Sequence, residues 1–477
     1  MLYQRFGKSQ QRSRLHSPTG LFILLLALFV GLGLAATHVM PAYAAGITVD
    51  SVADTVATDG ACTLREAIDN ANADADTTGG DCAAGAGDDT ITFGVSGTIA
   101  AGAQQYTIEN NGKLTIDGGG AITVNRSFSV KAGANATLAG LNISNSGVYN
   151  DGGTLTVSRS TIDGAFTSAA SGAGIFNNNG ILIVRDSTLS NNYAADGGGG
   201  IYFNGGSGTI INSTFFGNSG GDSGGSALYI RNSASVMATN STFAESGSFQ
   251  VLLRDDSTLS LNNSIIAGNL SPLCTGLVTV QNSLIQDGSC GITNGVDGNL
   301  TGDPSLGTLT GSPAYFPLDL SSIAVDAGDN ALAVDADGNP LVTDQPGNPR
   351  IQGRAVDLGA YETLGVPSIS IAPESVSIDE GASADLIITR DGDLSVALAV
   401  NVSILRGAEV TAGDYSFSGA LSGAPDGAQS VTIPAGQSSA TLTVAALPDA
   451  VGAEASETIT IALVDELSYN LYPQNVA

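Results

Sequence analysis

Short apolar strands recur at a nearly constant spacing through the middle of the chain. Five segments align, and each alternates apolar and polar positions around a serine: 154–162, 181–189, 208–215, 236–243 and 259–266. The aligned serines, separated by 27, 26, 28 and 23 residues, are Ser160, Ser187, Ser213, Ser241 and Ser264. Alternation with a period of two predicts strands. A repeat of this length predicts one coil of a parallel β-helix.

Stacking the repeats predicts three apolar columns inside the solenoid. The columns are Leu155, Leu182, Gly208, Val236 and Leu259; Val157, Val184, Ile210, Ala238 and Leu261; and Ile162, Leu189, Phe215, Phe243 and Ile266. A further strand follows a glycine cluster at 174–176, 200–203 and 227–230. Asparagines three residues after the third column predict an interior ladder that satisfies backbone groups, at Asn192, Asn218 and Asn269. Segments 114–120, 122–130 and 137–144 predict earlier, less regular coils.

A capping helix is predicted before the first coils. Thr63 and Glu66 have the spacing of a capping box, which starts helices. Leu64, Ala67, Ile68 and Ala71 then form one apolar stripe. We expect this short helix to cover the open end of the solenoid. Arg65 and Glu66 would then belong to the capping structure and not to a catalytic site.

The first 44 residues predict a signal peptide. Four basic residues precede an apolar run of 16 residues, 21–36, and the small-x-small site 42–44 follows. The alternative is a retained anchor, but about 20 apolar residues are needed to span a bilayer. Cleavage after Ala44 predicts a secreted or cell-surface protein with no remaining transmembrane span.

Composition excludes several classes of site. The chain has 16 basic and 45 acidic residues, and four of the basic ones lie in the leader, so the remainder carries a net charge of −33. Such a charge disfavours nucleic acid and anionic lipid as partners. Both histidines, His16 and His38, lie in the leader and tryptophan is absent. This excludes histidine-dependent hydrolysis and ordinary zinc sites, and removes the strongest sugar-stacking side chain.

The four cysteines predict disulfides in an exported chain. Three pairings are formally possible. Proximity along the chain favours Cys62 with Cys82 and Cys274 with Cys290.

The repeat is lost between 270 and 362, where prolines and acidic turns increase. Asp335, Asp337 and Gly338 resemble part of a calcium loop, but the acidic residue that closes an EF-hand is missing, which favours a turn. From Ser368 the pattern becomes short alternating strands about ten residues apart, which is typical of a β-sandwich.

Two motifs resemble those of exported bacterial β-helix proteins. The stretch 62–67 (CTLREA) is similar to the motif that names the CSLREA family. The stretch 348–362 (NPRIQGRAVDLGAYE) resembles the closing motif of "choice-of-anchor Q" β-helix proteins. The resemblance implies a secreted or surface β-helix without established catalytic residues.

Residues 366–477 resemble a Calx-beta domain. The resemblance rests on 379–381, 390–394, 412–415, 433–436 and 449–457. It implies a role in adhesion or cell communication and a calcium site, with ligands at Glu380, Asp449, Glu454 and Glu457. Arg406 and Ala450 replace acidic residues of the family pattern, and Ala477 comes before its final strand. We therefore expect an incomplete sandwich and weak calcium binding.

These patterns predict an all-β protein: a right-handed parallel β-helix with a short N-terminal capping helix, followed by a β-sandwich. The predicted parts are a signal peptide (1–44), a CSLREA-type cap (45–111), the β-helix with its closing segment (112–362), a linker (363–367) and the Calx-beta-like sandwich (368–477).

Two functions are compatible with this architecture. The first is a non-catalytic adhesin or matrix protein whose partner is a surface glycan or protein, and calcium is its one expected cofactor. The second is a polysaccharide lyase or glycosidase, since fold alone does not decide function. Its candidate residues are Arg254, Asp255 and Asp256, or Arg159 with Arg185 and Asp186. Neighbouring arginine and aspartate are usually solvated ion pairs, which favours the first function.

Overall fold

The computed structural model describes residues 45–477 except 101, 103, 110, 169–170, 222–223, 248, 269–271, 364–366, 392–393, 395, 409, 424, 449–457, 465–468 and 472–477. The described residues form a parallel β-solenoid followed by antiparallel sheets. The predicted signal peptide lies outside them, as do parts of the predicted linker and sandwich.

Each coil of the solenoid contributes strands to three faces. Face 1 holds Ala45–Val49, Asp89–Phe93, the first parts of Lys113–Val124 and Asn135–Ser144, Thr154–Ser158, Ile181–Arg185, Ser207–Ile211, Ser235–Thr239, Thr258–Asn262 and Val278–Gln281. Face 2 holds Gly97–Ile99, the second parts of the same two long strands, Thr161–Asp163, Thr188–Ser190, Thr214–Phe216, Thr242–Ala244, Ile265–Ile266 and Leu284–Ile285. Because two strands continue across the corner, both faces belong to one sheet of 17 strands.

Face 3 is a separate sheet of eight strands. Its strands are Tyr106–Ile108, Phe128–Val130, Val148–Asp151, Ile175–Asn178, Ile201–Asn204, Leu228–Arg231, Val251–Leu253 and Cys274–Thr275. Two short strands, Phe166–Thr167 and Tyr193–Ala194, pair beside it.

The strand register confirms the three predicted apolar columns. Leu182 pairs with Leu155 and Gly208, and Val184 pairs with Val157 and Ile210. The third column continues in the same way from Leu189 to Phe215. These side chains belong to one buried cluster that runs the length of the solenoid. Period-two alternation places successive side chains on opposite sides of a strand, which is why the columns could be predicted.

The repeat differs from the prediction at both ends. Segments 114–120 and 122–130 are parts of a single coil, because Lys113–Val124 is one bent strand that spans faces 1 and 2. Beyond 270 the repeat continues for one more coil, with Val278–Gln281 on face 1 and Leu284–Ile285 on face 2. The sequence hid this coil because its serine, Ser283, follows Ser264 after only 19 residues.

Helix α1 (Leu64–Ala73) begins at the predicted capping box. Thr63 Oγ1 accepts from the Glu66 amide, and a Glu66 carboxylate oxygen accepts from the Thr63 amide at 3.0 Å. The stripe Leu64, Ala67, Ile68 and Ala71 is buried, and the helix contacts strands Ala45–Val49, Asp89–Phe93 and Tyr106–Ile108. The helix therefore covers the first coil, as predicted.

Two disulfides hold the predicted pairs. Cys62–Cys82 closes the loop that carries α1, and Cys274–Cys290 closes the last coil of face 3. Closing loops of this length contributes about 3 kcal/mol each when the bond is unstrained.

The C-terminal part is an antiparallel sandwich. One sheet holds Ser368–Ala372, Ser383–Arg390, Tyr415–Gly419, Ser439–Ala446 and Asn470–Leu471, and the other holds Leu398–Arg406, Gly427–Ile433 and Ile459–Leu463. Their inner side chains form a hydrophobic cluster separate from that of the solenoid. The last pair, between Ile369 and Leu471, is parallel.

Candidate functional site

The corner between faces 1 and 2 is built by a column of buried serines. Ser187 Oγ accepts from the Ser160 amide at 3.1 Å and donates to the Arg185 carbonyl at 2.7 Å. Ser213 repeats both bonds one coil later. The column runs through Ser241 and Ser264 to Ser283. The aligned serines therefore have a structural role. The sequence pattern gave their positions but not this role.

The residue before each of these serines has a left-handed backbone. Their φ angles lie between 42° and 51°, and they are Arg159, Asp186, Asn212, Asn240, Asn263 and Asn282. Asparagine and aspartate tolerate this conformation best among residues with a side chain. Most of these corner residues are therefore explained by backbone geometry.

The asparagine ladder is present where the structure describes it. Asn192 Nδ2 donates to Asn218 Oδ1 and to the Ile162 carbonyl, both at 3.0 Å. Asn269, the third predicted member, lies outside the described residues. A second ladder that the sequence reasoning missed joins Asn150 to Asn177 at 2.7 Å.

Residues 303–362, here the closing segment, fold back along face 2. Gln345 accepts from Thr214 Oγ1 at 2.6 Å and donates to Thr188 Oγ1 at 3.0 Å. The Ala360 amide donates to Thr242 Oγ1 at 3.0 Å. Threonines that point outward from face 2 are therefore buried beneath this segment.

A buried charge cluster holds the closing segment together. Arg350 is fully buried, donates to the carbonyls of Asp357 and Gly359, and lies 3.4 Å from a Glu362 oxygen. Desolvation by burial raises the pKa of Glu362 to about 8 and also raises the pKa values of Asp344 and Asp357. One cation among three carboxyl groups favours protonation of a carboxyl group. Arg350, one of only two arginines between residues 303 and 362 of an acidic, proline-rich segment, was the available sequence signal.

The first set of catalytic candidates lies at a turn on the surface. Arg254, Asp255 and Asp256 are exposed, and both aspartates have a left-handed backbone. Asp255 forms an ion pair with Arg231 of the preceding coil, at 2.9 Å.

The second set lies at the corner of faces 1 and 2. Arg159 pairs with Asp117 at 3.5 Å, and Arg185 pairs with Asp186 at the same distance. Asp186 also accepts from Asn212, and its burial raises its pKa. Arg159 and Asp186 occupy the same corner position in neighbouring coils.

The calcium candidates are only partly described. Glu380 lies in an exposed turn before strand Ser383–Arg390, whereas Asp449, Glu454 and Glu457 lie outside the described residues. Arg406 pairs with Asp426 at 2.6 Å. Elsewhere in the described chain, no group of three potential ligands is close enough to hold a metal ion.

The acidic loop at Asp335 is a turn closed on itself. One Asp335 oxygen accepts from the amides of Asp337 and Asn339 at 2.9 and 2.8 Å. These internal bonds account for the motif without a metal.

The outer surface of face 1 carries an open, shallow groove. We call it the face-1 groove, and its lining residues are Ser207, Gly208, Thr209, Ser235, Val236, Met237, Thr258, Leu259, Ser260 and Thr279. Sequence reasoning followed the inward columns and missed this site. The sequence signal that could have located the groove is a set of uncharged outward positions in a strongly acidic chain.

Comparison with known proteins supports the solenoid. Residues 171–302 match the family model of a right handed beta helix region. No curated protein and no solved structure matches the chain. Within the described residues, no helix has the length and apolar character needed to cross a bilayer.

Proposed function

We propose that this protein is a non-catalytic protein of the cell surface or extracellular space, which presents its solenoid to a surface glycan or protein. A right-handed β-helix and two disulfides suit a protein exported to an oxidising environment. The leader-like sequence of residues 1–44 supports export.

One observation carries the non-catalytic interpretation: two of the candidate acids are engaged in bonds between successive coils. Asp255 pairs with Arg231, and Asp186 accepts from Asn212. Each bond joins successive coils, as a structural contact should. The alternative, a polysaccharide lyase or glycosidase, requires an acid or base directed at a substrate.

Activity measurements on a panel of neutral and acidic polysaccharides test this proposal. The chain from Ala45 is incubated with calcium, new reducing ends and unsaturated products are both measured, and a known pectate lyase serves as the positive control. We expect no product, together with retention of the folded chain on at least one polysaccharide or on a cell-surface fraction. Product release would overturn the proposal, and Arg254→Ala would then identify the active arginine.

The proposal includes calcium binding by the sandwich, through Glu380, Asp449, Glu454 and Glu457. Carboxylate oxygens are the ligands that calcium prefers, and Glu380 lies in an exposed turn. Calcium would rigidify that end of the sandwich rather than take part in chemistry.

A further inference from the structure

Two outward rows of face 1 are free of charge from Asn135 to Thr279, whereas Lys113 precedes Asn135 in its row and the third outward row holds Asp117 and Arg185. One outward row, in register from coil to coil, is Thr137, Thr156, Ile183, Thr209, Met237, Ser260 and Thr279. The row beside it is Asn135, Thr154, Ile181, Ser207, Ser235 and Thr258. Neither row contains an ionisable side chain, although the whole chain carries a net charge of −29. These two rows offer no charge with which an ionic ligand could pair, which favours an uncharged ligand.

The dimensions of this surface favour a chain-like ligand over a folded protein. Strands about 4.8 Å apart make the six coils from Thr154 to Thr279 about 24 Å long. With a width of about 14 Å, the strip offers roughly 350 Å², whereas a stable protein interface needs about 800 Å² on each partner. A linear molecule lying along the solenoid axis could use the whole strip.

From these observations we propose that the face-1 groove binds a linear, neutral polysaccharide along the solenoid axis. The inference rests on the proposed function, because it names the ligand class and the site of the same surface protein. Ser260 and Thr279 provide hydroxyls on adjacent coils, about 4.8 Å apart, and Thr209 provides another two coils before Ser260. Met237 provides an apolar contact for sugar C–H groups.

The groove also sets the expected strength and selectivity of binding. Its lining contains no aromatic ring, so each sugar unit gains only hydroxyl and methyl contacts, and we expect a dissociation constant in the millimolar range. Avidity along a long polymer would raise the apparent affinity. Anionic glycans should bind more weakly, because the surrounding surface is acidic.

Met237 is a built-in reporter for this site. The chain has three methionines, and the other two, Met1 and Met40, precede Ala45. The chain from Ala45, exported so that both disulfides form and labelled with [13C]methyl-methionine, therefore gives one assigned methyl signal inside the groove. This signal is followed by NMR during titration with cellohexaose, with xylohexaose and with hexagalacturonate.

Two variants add charge to the groove, and one matched variant adds it elsewhere. Thr209→Glu and Ser260→Glu place a carboxylate on half-buried groove positions, and Thr161→Glu places one on a half-buried threonine of face 2. Circular dichroism establishes that each variant is folded. Using two groove variants keeps the test valid if one of them fails to fold.

We expect a saturable shift of the Met237 signal with a neutral hexasaccharide and a weaker response to hexagalacturonate. Affinity should fall about tenfold or more in the groove variants and stay unchanged in Thr161→Glu. An unmoved Met237 signal with both neutral sugars overturns the inference. If the chain is still retained on a polysaccharide in that case, the proposed function stands and the groove is the wrong site. A shift that depends on protein concentration and not on sugar also overturns it, since face 1 would then be an interface between copies.

Discussion

At the scale of single residues, the six corners between faces 1 and 2 from Arg159 to Asn282 use the same device. A residue with a left-handed backbone turns the chain, and the following serine hydroxyl donates within its own coil and accepts from an amide of the preceding coil. Ser213 is completely buried, so the backbone groups that it bonds cannot reach water. Its hydroxyl serves as their hydrogen-bond partner instead. Stacked hydroxyl bonds thus tie successive coils together at the turn.

Substitution of one ladder serine tests this role. Ser213→Ala removes the acceptor of the Ser187 amide and one of the two donors to the Ile211 carbonyl, and leaves the buried amide without a partner. We expect a loss of about 1 to 3 kcal/mol in the free energy of unfolding, measured by chemical denaturation. Ser207→Ala, at an exposed position of the same coil, is the control and should change stability little. Equal effects of the two substitutions would contradict the ladder role.

At the scale of elements, the parts of the solenoid differ in which segment of the chain covers them. Helix α1 covers the first coil, and the closing segment covers face 2 from Thr188 to Thr242. The closing segment packs Leu318 and Leu358 against apolar side chains of the solenoid. It is also held by Gln345 and by the titratable cluster around Arg350. Because that cluster titrates, we expect the attachment to depend on pH.

The raised pKa of Glu362 determines whether stability rises or falls with pH. Its pKa in the folded protein is about 8, above its ordinary value of 4.5, whereas Arg350 stays protonated. Between these two values the folded state holds a proton that the unfolded state has released. The contribution of Glu362 to stability is therefore fully present at low pH and is lost as pH rises through about 8. The loss should be on the order of a few kcal/mol.

Thermal unfolding between pH 5 and pH 9 measures this effect. Glu362→Gln, which cannot titrate, should remove much of the decline in unfolding temperature that we expect of the wild-type chain. Asp337→Asn changes an exposed carboxylate of the same segment and should keep the wild-type profile. If Glu362→Gln shows the wild-type decline, the proton is held by another group.

At the scale of the whole molecule, the solenoid and the sandwich have separate hydrophobic cores. Separate cores allow separate unfolding transitions, so a ligand of one part can stabilise that part alone. The acidic surface of the chain gives calcium a general electrostatic attraction, and only a specific site would distinguish calcium from magnesium.

Calcium titration tests the site proposed in the sandwich. Calcium should raise the unfolding temperature of the sandwich transition by a few degrees, consistent with weak binding, and leave the solenoid transition unchanged. The measurement is differential scanning calorimetry with calcium, with magnesium and with a chelator. Glu380→Gln should remove the calcium effect, and Glu374→Gln, at another exposed position of the sandwich, should not. An equal response to both ions would count against a specific site.

The sequence by itself determined the features that depend on local pattern. Alternation and a steady repeat located the columns through Leu182, Val184 and Leu189, and a capping box located α1. Each of these follows from residues a few positions apart or from equivalent positions in successive repeats. The last coil was missed because its short spacing breaks that regularity.

Only the tertiary structure decided which outward surfaces are free. Thr209 and Thr214 lie in the same coil, and both point away from the core in alternating strands. Thr209 lines an open groove, whereas Thr214 is buried and donates to Gln345, which lies 131 residues later in the chain. Local alternation separates inside from outside, but it carries no record of a distant segment that folds back. The physical reason is that the closing segment binds through scattered hydrogen bonds, a small apolar cluster and one buried charge cluster, which leave no periodic pattern in the sequence.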